Sequence, residues 1–152
     1  MGGCLLISSL TGSKPMSGDR RFFDTNVVLY LLSADQAKAD RAEELLAEGG
    51  IISVQVLNEF AAVASRKLGM SWPEIREVLD QVRAVSSVEP LLVETHERSL
   101  LVAERYGISL YDSLIVAAAL LAGCSTLYSE DMQHGQIIEG QLTICNPFRA
   151  SE

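Results

Sequence analysis

Aromatic residues and long apolar runs are scarce in this sequence of 152 residues. Aromatic side chains make up only 6% of a chain that is 48% hydrophobic, so the core must be aliphatic and rich in alanine, as in soluble α/β or α proteins. The longest apolar run, residues 114–122, is far shorter than the roughly 18 residues that a membrane-spanning helix needs. We therefore expect no membrane association and one domain of ordinary size.

Basic residues and cysteines are also few. The chain has 12 Lys and Arg against 20 Asp and Glu, a net charge of −8, which argues against nonspecific nucleic-acid binding through bulk charge. It does not exclude a nuclease, because catalytic carboxylates would contribute to the excess. The three cysteines, Cys4, Cys124 and Cys145, are odd in number and form no CxxC pair, so they indicate free thiols in a reducing cytoplasm.

The N-terminal segment is predicted to lie outside the fold. Its apolar stretch, CLLISSL, has no preceding Lys or Arg, which argues against a signal peptide. We interpret residues 1–18 as a flexible leader or tag-like segment and residues 19–150 as a single domain.

Strand-like and helix-like runs alternate over the rest of the chain. Strands are predicted at 20–23, 51–54, 87–93, 125–129 and 142–148, and Pro90 predicts an edge position for the third. Helices are predicted at 26–32, from Ser33 or Asp35 to about Glu48, at 54–68, at 72–85, from Thr95 to Gly107, and from Asp112 through a buried apolar stretch. This alternation predicts an α/β fold, with a parallel sheet that carries helices on its faces.

Four acidic residues stand at the edges of apolar stretches: Asp24, Glu59, Asp112 and Asp131. Ligands of a parallel sheet bind outside the carboxyl ends of its strands, and all four acids can reach that edge. If they converge there, their mutual repulsion requires cations to offset it. The sequence therefore predicts a metal site.

Each acid also has a plainer explanation. Asp24 and Asp112 can each cap a helix, and Glu130 with Asp131 can form a solvated turn. Glu59 lies beside a buried stripe, where an unpaired carboxylate is costly, so structure alone explains it less easily. Taken together, the four favour a shared site.

The segments FFDTNVVLYLL, ISVQVLNEFAAVA, LYDSLIVAAAL and LYSEDMQHGQ, in this order and spacing, resemble a PIN domain, in particular the VapC-type toxin ribonucleases. The resemblance covers residues 20–148. It implies a Rossmann-like three-layer α/β/α sandwich with a mostly parallel sheet. It also implies an endoribonuclease dependent on Mg²⁺ or Mn²⁺, which forms homodimers and is neutralised by a cognate antitoxin. By this similarity the site acids are Asp24, Glu59, Asp112 and Asp131, supported by Asn26 and Ser129.

The residue chemistry agrees with this implication. Carboxylate oxygens without nearby His or Cys suit Mg²⁺ or Mn²⁺ rather than zinc. We expect Asp24 and Asp112 to be primary ligands, with Glu59 and Asp131 completing the site directly or through water. Asn26 and Ser129 would orient Asp24. The sequence leaves open whether the site holds one ion or two. It also leaves open whether Glu130 or Asp131 faces the metal.

Two other functional classes compete with the ribonuclease. A catalytically idle PIN-like module would bind RNA or a protein partner without cleaving. A phosphate-handling domain of the response-regulator type would need a lysine near the end of the sheet, and the chain has none suitably placed. A complete set of acids argues against the first, and the missing lysine against the second.

Overall fold

The computed structural model describes residues 20–149, so the predicted leader at residues 1–18 lies outside the described residues, as does Cys4. The strands are β1 (Arg21–Phe23), β2 (Gly50–Ser53), β3 (Ser86–Glu89), β4 (Thr126–Tyr128), β5 (Ile137–Ile138) and β6 (Leu142–Cys145). The α-helices are α1 (Thr25–Leu29), α2 (Gln36–Ala47), α3 (Val54–Arg66), α4 (Trp72–Val85), α5 (Val93–Tyr106) and α6 (Leu110–Leu121). A single 3₁₀ turn, Tyr30–Leu32, follows α1.

The strands form one mostly parallel sheet in the order β3-β2-β1-β4-β6-β5. The first five strands in this order form four parallel pairs, and β5 pairs antiparallel with β6. The helices between the strands flank this sheet, so the predicted α/β class is confirmed. The edge position predicted for β3 is confirmed as well.

The central strand β1 fixes the position of Asp24. Phe22 and Phe23 are fully buried in the aliphatic core that surrounds this strand. Asp24 follows directly, and its backbone N–H donates to the carbonyl oxygen of Tyr128, 2.9 Å away, at the end of β4. The first acid is therefore locked to the carboxyl ends of two adjacent parallel strands.

Local capping explains where most helices begin. Asp35, one of the two predicted candidates, caps α2 through the backbone N–H groups of residues 37 and 38. Ser53 caps α3, which places Glu59 in the second turn of that helix. The capping box predicted for α4 is present, with Ser71 and Glu74 bonded reciprocally.

Two predicted helix starts were wrong. Helix α5 begins at Val93 rather than at Thr95, because the Thr95 hydroxyl accepts the Leu92 N–H from inside the first turn. Helix α6 begins at Leu110 rather than at Asp112, because Ser109 is its N-cap. The capping explanation of Asp112 is therefore also wrong.

Several predicted strand and helix bounds were too long. The strand predicted at 87–93 ends at Glu89, since Pro90 cannot donate to the ladder. The strand predicted at 142–148 ends at Cys145, two residues before Pro147. The helix predicted at 26–32 changes to a 3₁₀ turn at residue 30.

The predicted burial of the apolar helix is confirmed, since residues 113–120 of α6 are all buried. Cys124 and Cys145 are free thiols, as expected. Within residues 20–149, no helix is both long enough and apolar enough to cross a membrane.

Substitution of Gly50 tests the packing that supports β1. A Cβ at this position would meet the ring of Phe23 and lie 3.1 Å from the carbonyl oxygen of Arg21. Because the Phe23 ring is fully buried and cannot move aside, we expect Gly50→Ala to lower the free energy of unfolding by about 1–3 kcal/mol. Urea denaturation measures this loss.

Ser87→Ala, at an exposed position on the adjacent strand β3, serves as the matched control and should leave stability unchanged. Equal stability of Gly50→Ala and wild type would contradict the packing argument.

Candidate active site

One cleft of about 260 Å³ gathers the four predicted acids at the carboxyl edge of the sheet. They come from four separate segments: the end of β1, helix α3, the first turn of α6 and the loop after β4. The cleft is lined by Asp24, Thr25, Asn26, Leu29, Glu59, Ala62, Val63, Arg66, Asp112 and Asp131. Acids up to 107 positions apart in sequence thus face one small space.

Asp24 is the most deeply buried of the four, with 3% of its surface exposed. Its Oδ1 accepts the Thr25 backbone N–H at 2.7 Å, as the cap of α1. Its Oδ2 accepts the Ser129 hydroxyl at 2.7 Å and the Asn26 side-chain amide at 3.2 Å. The capping and site interpretations of Asp24 are therefore compatible.

Burial dominates the electrostatics of Asp24 and raises its pKa to about 7. The hydrogen bonds from Ser129 and Thr25 lower the pKa, while the nearby charges of Asp112 and Asp131 raise it further. Ionisation of a carboxyl group in this position is costly in the absence of a cation. The site is consequently poised to take up positive charge.

Glu59 is held at both of its carboxylate oxygens. Oε1 accepts the Thr25 hydroxyl at 2.6 Å, and Oε2 accepts the Gln55 amide at 2.9 Å. Thr25 thus connects the first two acids, because its N–H binds Asp24 and its hydroxyl binds Glu59. Sequence reasoning missed both Thr25 and Gln55. Gln55 could have been found, since it lies four residues before Glu59 on one helix face.

Asp112 is the third residue of α6, and its backbone N–H is accepted by the Ser109 hydroxyl at 3.4 Å. Asp112 is therefore not the N-cap residue, although its side chain lies beside Ser109, which is. Partial burial raises the pKa of Asp112, and the charges of Asp131 and Glu59 raise it too, while a hydrogen bond with Ser109 opposes them.

Asp131, rather than its neighbour Glu130, lines the cleft. The Asn26 amide donates to Asp131 Oδ2 at 3.0 Å as well as to Asp24, so Asn26 bridges two acids. Glu130 is turned to the other side, where it accepts the Tyr30 hydroxyl and pairs with Lys38 at 3.1 Å. This clamp between Tyr30, Lys38 and Glu130 was also missed.

The identified donors to the carboxylates of Asp24, Glu59 and Asp131 are hydroxyls, amides and one backbone N–H, all of them neutral. Hard oxygen ligands and a deficit of positive charge fit Mg²⁺ or Mn²⁺. Within residues 20–149, however, no three Asp, Glu, His or Cys side chains stand close enough to hold an ion as they are. An ion would draw the carboxylates inward or bind some of them through water, as Mg²⁺ commonly does.

Two other polar residues have clear contacts, and one of them borders the cleft. Arg66 lines its rim and bonds weakly to the Ala62 carbonyl oxygen at 3.4 Å, so its exposed guanidinium remains available to a phosphate. His134 accepts the Asn146 backbone N–H at Nδ1, 2.9 Å away, which gives it a role in the loop.

The solved structures that are similar to this chain include the following three. A toxin–antitoxin complex from Klebsiella pneumoniae is 20% identical, with a TM-score of 0.65 over 86% of this chain and 99% of that one. VapC20 of Mycobacterium tuberculosis, a Sarcin-Ricin loop cleaving toxin, is 22% identical, with a TM-score of 0.61. The match covers 73% of this chain and 89% of that one. VapBC2 of Rickettsia felis, bound to a promoter DNA fragment, is 19% identical, with a TM-score of 0.54 over 73% and 87%.

These likenesses establish the fold. No curated protein sequence matches the chain. The PIN domain family model matches residues 21–137, from β1 to the start of β5, and this stretch contains all four acids of the cleft. The chain therefore belongs to the PIN domain family.

Proposed function

We propose that this protein is a Mg²⁺- or Mn²⁺-dependent endoribonuclease that acts as the toxin of a type II toxin–antitoxin system. The observation that carries the proposal is the cleft in which Asp24, Glu59, Asp112 and Asp131 converge around a buried carboxylate with neutral donors. Membership of the PIN domain family supports the same chemistry.

The chain's residues divide the work of holding metal and substrate. Asp24 and Asp112 are the primary ligands, and Glu59 and Asp131 complete the site directly or through water. A divalent ion held by these carboxylates would supply an activated water and would stabilise the charge that develops on the phosphodiester. Ser129, Asn26 and Thr25 orient the carboxylates by the hydrogen bonds described above.

The partners of the similar structures support the rest of the proposal. One is a toxin–antitoxin complex and another is a toxin that cleaves the Sarcin-Ricin loop, so we assign to this chain an RNA substrate and a cognate antitoxin. The free thiols of Cys124 and Cys145 support a cytoplasmic location as part of the same proposal. Exposed apolar side chains on α5 and α6, including Leu100, Leu101 and Tyr111, offer surface for an antitoxin or for a homodimer.

A catalytically idle PIN-like module is the second candidate. It is favoured by the fact that the acids of residues 20–149 do not already form a set able to hold an ion. A module of this kind would bind RNA or protein with the acids unmetallated. Cleavage assays and metal-dependent melting distinguish the two candidates.

Removal of the Asp24 charge tests the metal site. We expect Asp24→Asn to reduce cleavage of a labelled RNA in Mn²⁺ by at least about 100-fold, because a primary ligand is lost while the fold is kept. Mg²⁺ or Mn²⁺ should raise the melting temperature of wild type relative to EDTA, and this increase should disappear in Asp24→Asn.

Asp80→Asn, an exposed acid on α4, is the control and should behave as wild type in both assays. Full activity of Asp24→Asn, or a wild-type melt that EDTA leaves unchanged, would refute the proposed site.

The raised pKa of Asp24 predicts how the metal-free protein responds to pH. The folded protein keeps this proton up to about pH 7, whereas the unfolded chain releases it near the ordinary pKa of 3.8. Between these values the folded state binds more protons, so the contribution of Asp24 to the free energy of unfolding falls as pH rises. The fall is at most about 1.4 kcal/mol per pH unit.

Below pH 3.8 Asp24 contributes nothing, and above about pH 7 the full destabilisation persists. Urea denaturation in EDTA should therefore show Asp24→Asn gaining stability over wild type across this window. A stability difference that is constant with pH would sink the prediction.

Gln55 tests whether Glu59 must be oriented. Gln55→Ala removes the donor to Oε2, so Glu59 loses one of its two contacts. We expect a loss of about 10–100-fold in cleavage or metal affinity, since such supporting contacts have effects of this size. Metal titration of the cleavage rate separates weaker metal binding from a slower bound enzyme.

Asn58→Ala, exposed on the same helix, is the matched control. If Gln55→Ala and Asn58→Ala have the same metal dependence, the contact between Gln55 and Glu59 has no role in the site.

A further inference from the structure

A second depression adjoins the acidic cleft on its other side. Its volume is about 290 Å³, and it shares Asp112 and Asp131 with the first cleft. We name it the amide groove, lined by these two acids together with Tyr106, Gly107, Ser109, Gln133 and Gln136. The two shared carboxylates thus stand between two binding spaces.

The amide groove has the wrong charge for a phosphate. Its lining includes two acids and no Lys or Arg, whereas the first cleft has Arg66 at its rim. A phosphate would be repelled here, so the groove suits a neutral group. Its volume of about 290 Å³ lies near the lower end of small-molecule sites, about 300–1,000 Å³, which is enough for one neutral nucleobase.

Gln133 and Gln136 provide the recognition chemistry. Neither side-chain amide has a hydrogen-bond partner within the part of the chain that the structure describes, although both line the groove. An amide presents a donor and an acceptor side by side, the arrangement that pairs with the edge of a nucleobase. Tyr106 adds an aromatic ring to the same lining.

The backbone around these glutamines is held in place. The Gln136 carbonyl oxygen accepts the Ile144 N–H at 2.9 Å, and the Gly135 N–H donates to the Ile144 carbonyl oxygen at 2.7 Å. On the opposite side, the Tyr106 hydroxyl accepts the Glu139 N–H at 2.9 Å. These bonds fix the backbone that carries Gln136 and the position of Tyr106, and selective recognition depends on such fixed supports.

We propose that the amide groove binds the nucleobase of the nucleotide next to the scissile phosphate, and that Gln133 and Gln136 determine which base is preferred there. The proposal rests on the proposed ribonuclease function for its position relative to the cut. Because the acidic cleft and the amide groove share Asp112 and Asp131, a phosphodiester bound in the cleft would have a neighbouring nucleotide next to the groove. The base must be unpaired, because only single-stranded RNA exposes its edges in this way.

Binding of short RNAs tests the nucleobase site without cleavage. Fluorescence anisotropy would compare labelled oligo(A), oligo(U) and oligo(C) hexamers in EDTA. We expect wild type to prefer one of them by at least about fivefold, the lower end of what one amide–base contact provides. The double variant Gln133→Ala/Gln136→Ala should bind all three within about twofold of one another.

Gln81→Ala, on helix α4 and outside both clefts, is the matched control and should keep the wild-type preference. Equal melting temperatures of the three proteins exclude misfolding as the cause. A preference that survives in the double variant, or wild type that shows no preference, would overturn the proposal.

A second readout separates this inference from the nuclease proposal. Sequencing of the ends that Mn²⁺-dependent cleavage produces from a random RNA pool should show a base bias beside the cut, and the double variant should lose it. If the double variant cleaves RNA with the same base bias as wild type, the amide-groove proposal is wrong and the nuclease proposal is unaffected. If wild type binds RNA with a base preference but does not cleave it, the nuclease proposal is wrong and the nucleobase site is supported.

Discussion

The buried carboxylate of Asp24, fixed directly after the central strand, is the constraint on which the site depends. Phe22 and Phe23 anchor the strand in the core, and the N–H of Asp24 is bonded to the end of β4. The side chain cannot withdraw to solvent. Its donors are neutral, so they orient the carboxylate without cancelling its charge.

The other acids are arranged around this fixed point by a small hydrogen-bond network. Thr25 contacts both Asp24 and Glu59, and Asn26 contacts both Asp24 and Asp131. Two residues of one short helix therefore set the spacing of three carboxylates. This arrangement orders the carboxylates while they still repel one another. A divalent cation bound there would relieve the repulsion and so gain the most binding free energy.

Much of this could be predicted from sequence because the relevant signals are local. Alternating apolar runs predicted the parallel sheet, the Ser71 and Glu74 box predicted α4, and the carboxyl-edge rule brought the acids to one side. Strand β5, with two residues, is too short to leave a pattern. Ser109 acts as the N-cap of α6, and Gln55 donates to Glu59. Both roles depend on the exact position at which the helix begins and on the direction of the side chains in its turns. The clamp on Glu130 joins residues about a hundred positions apart, a separation that no local pattern encodes.

The most direct test of the account is the number of protons released when metal binds. A carboxyl group with a pKa of about 7 is largely protonated at pH 6, and a metal ligand must be ionised. Titration of the unbuffered protein at about pH 6 with Mg²⁺ or Mn²⁺ should therefore release roughly one proton from Asp24 for each site filled, and Asp24→Asn should lack this release. Metal binding without proton release, or equal release from both proteins, would contradict the claim that the buried Asp24 carboxylate is the centre of a metal site.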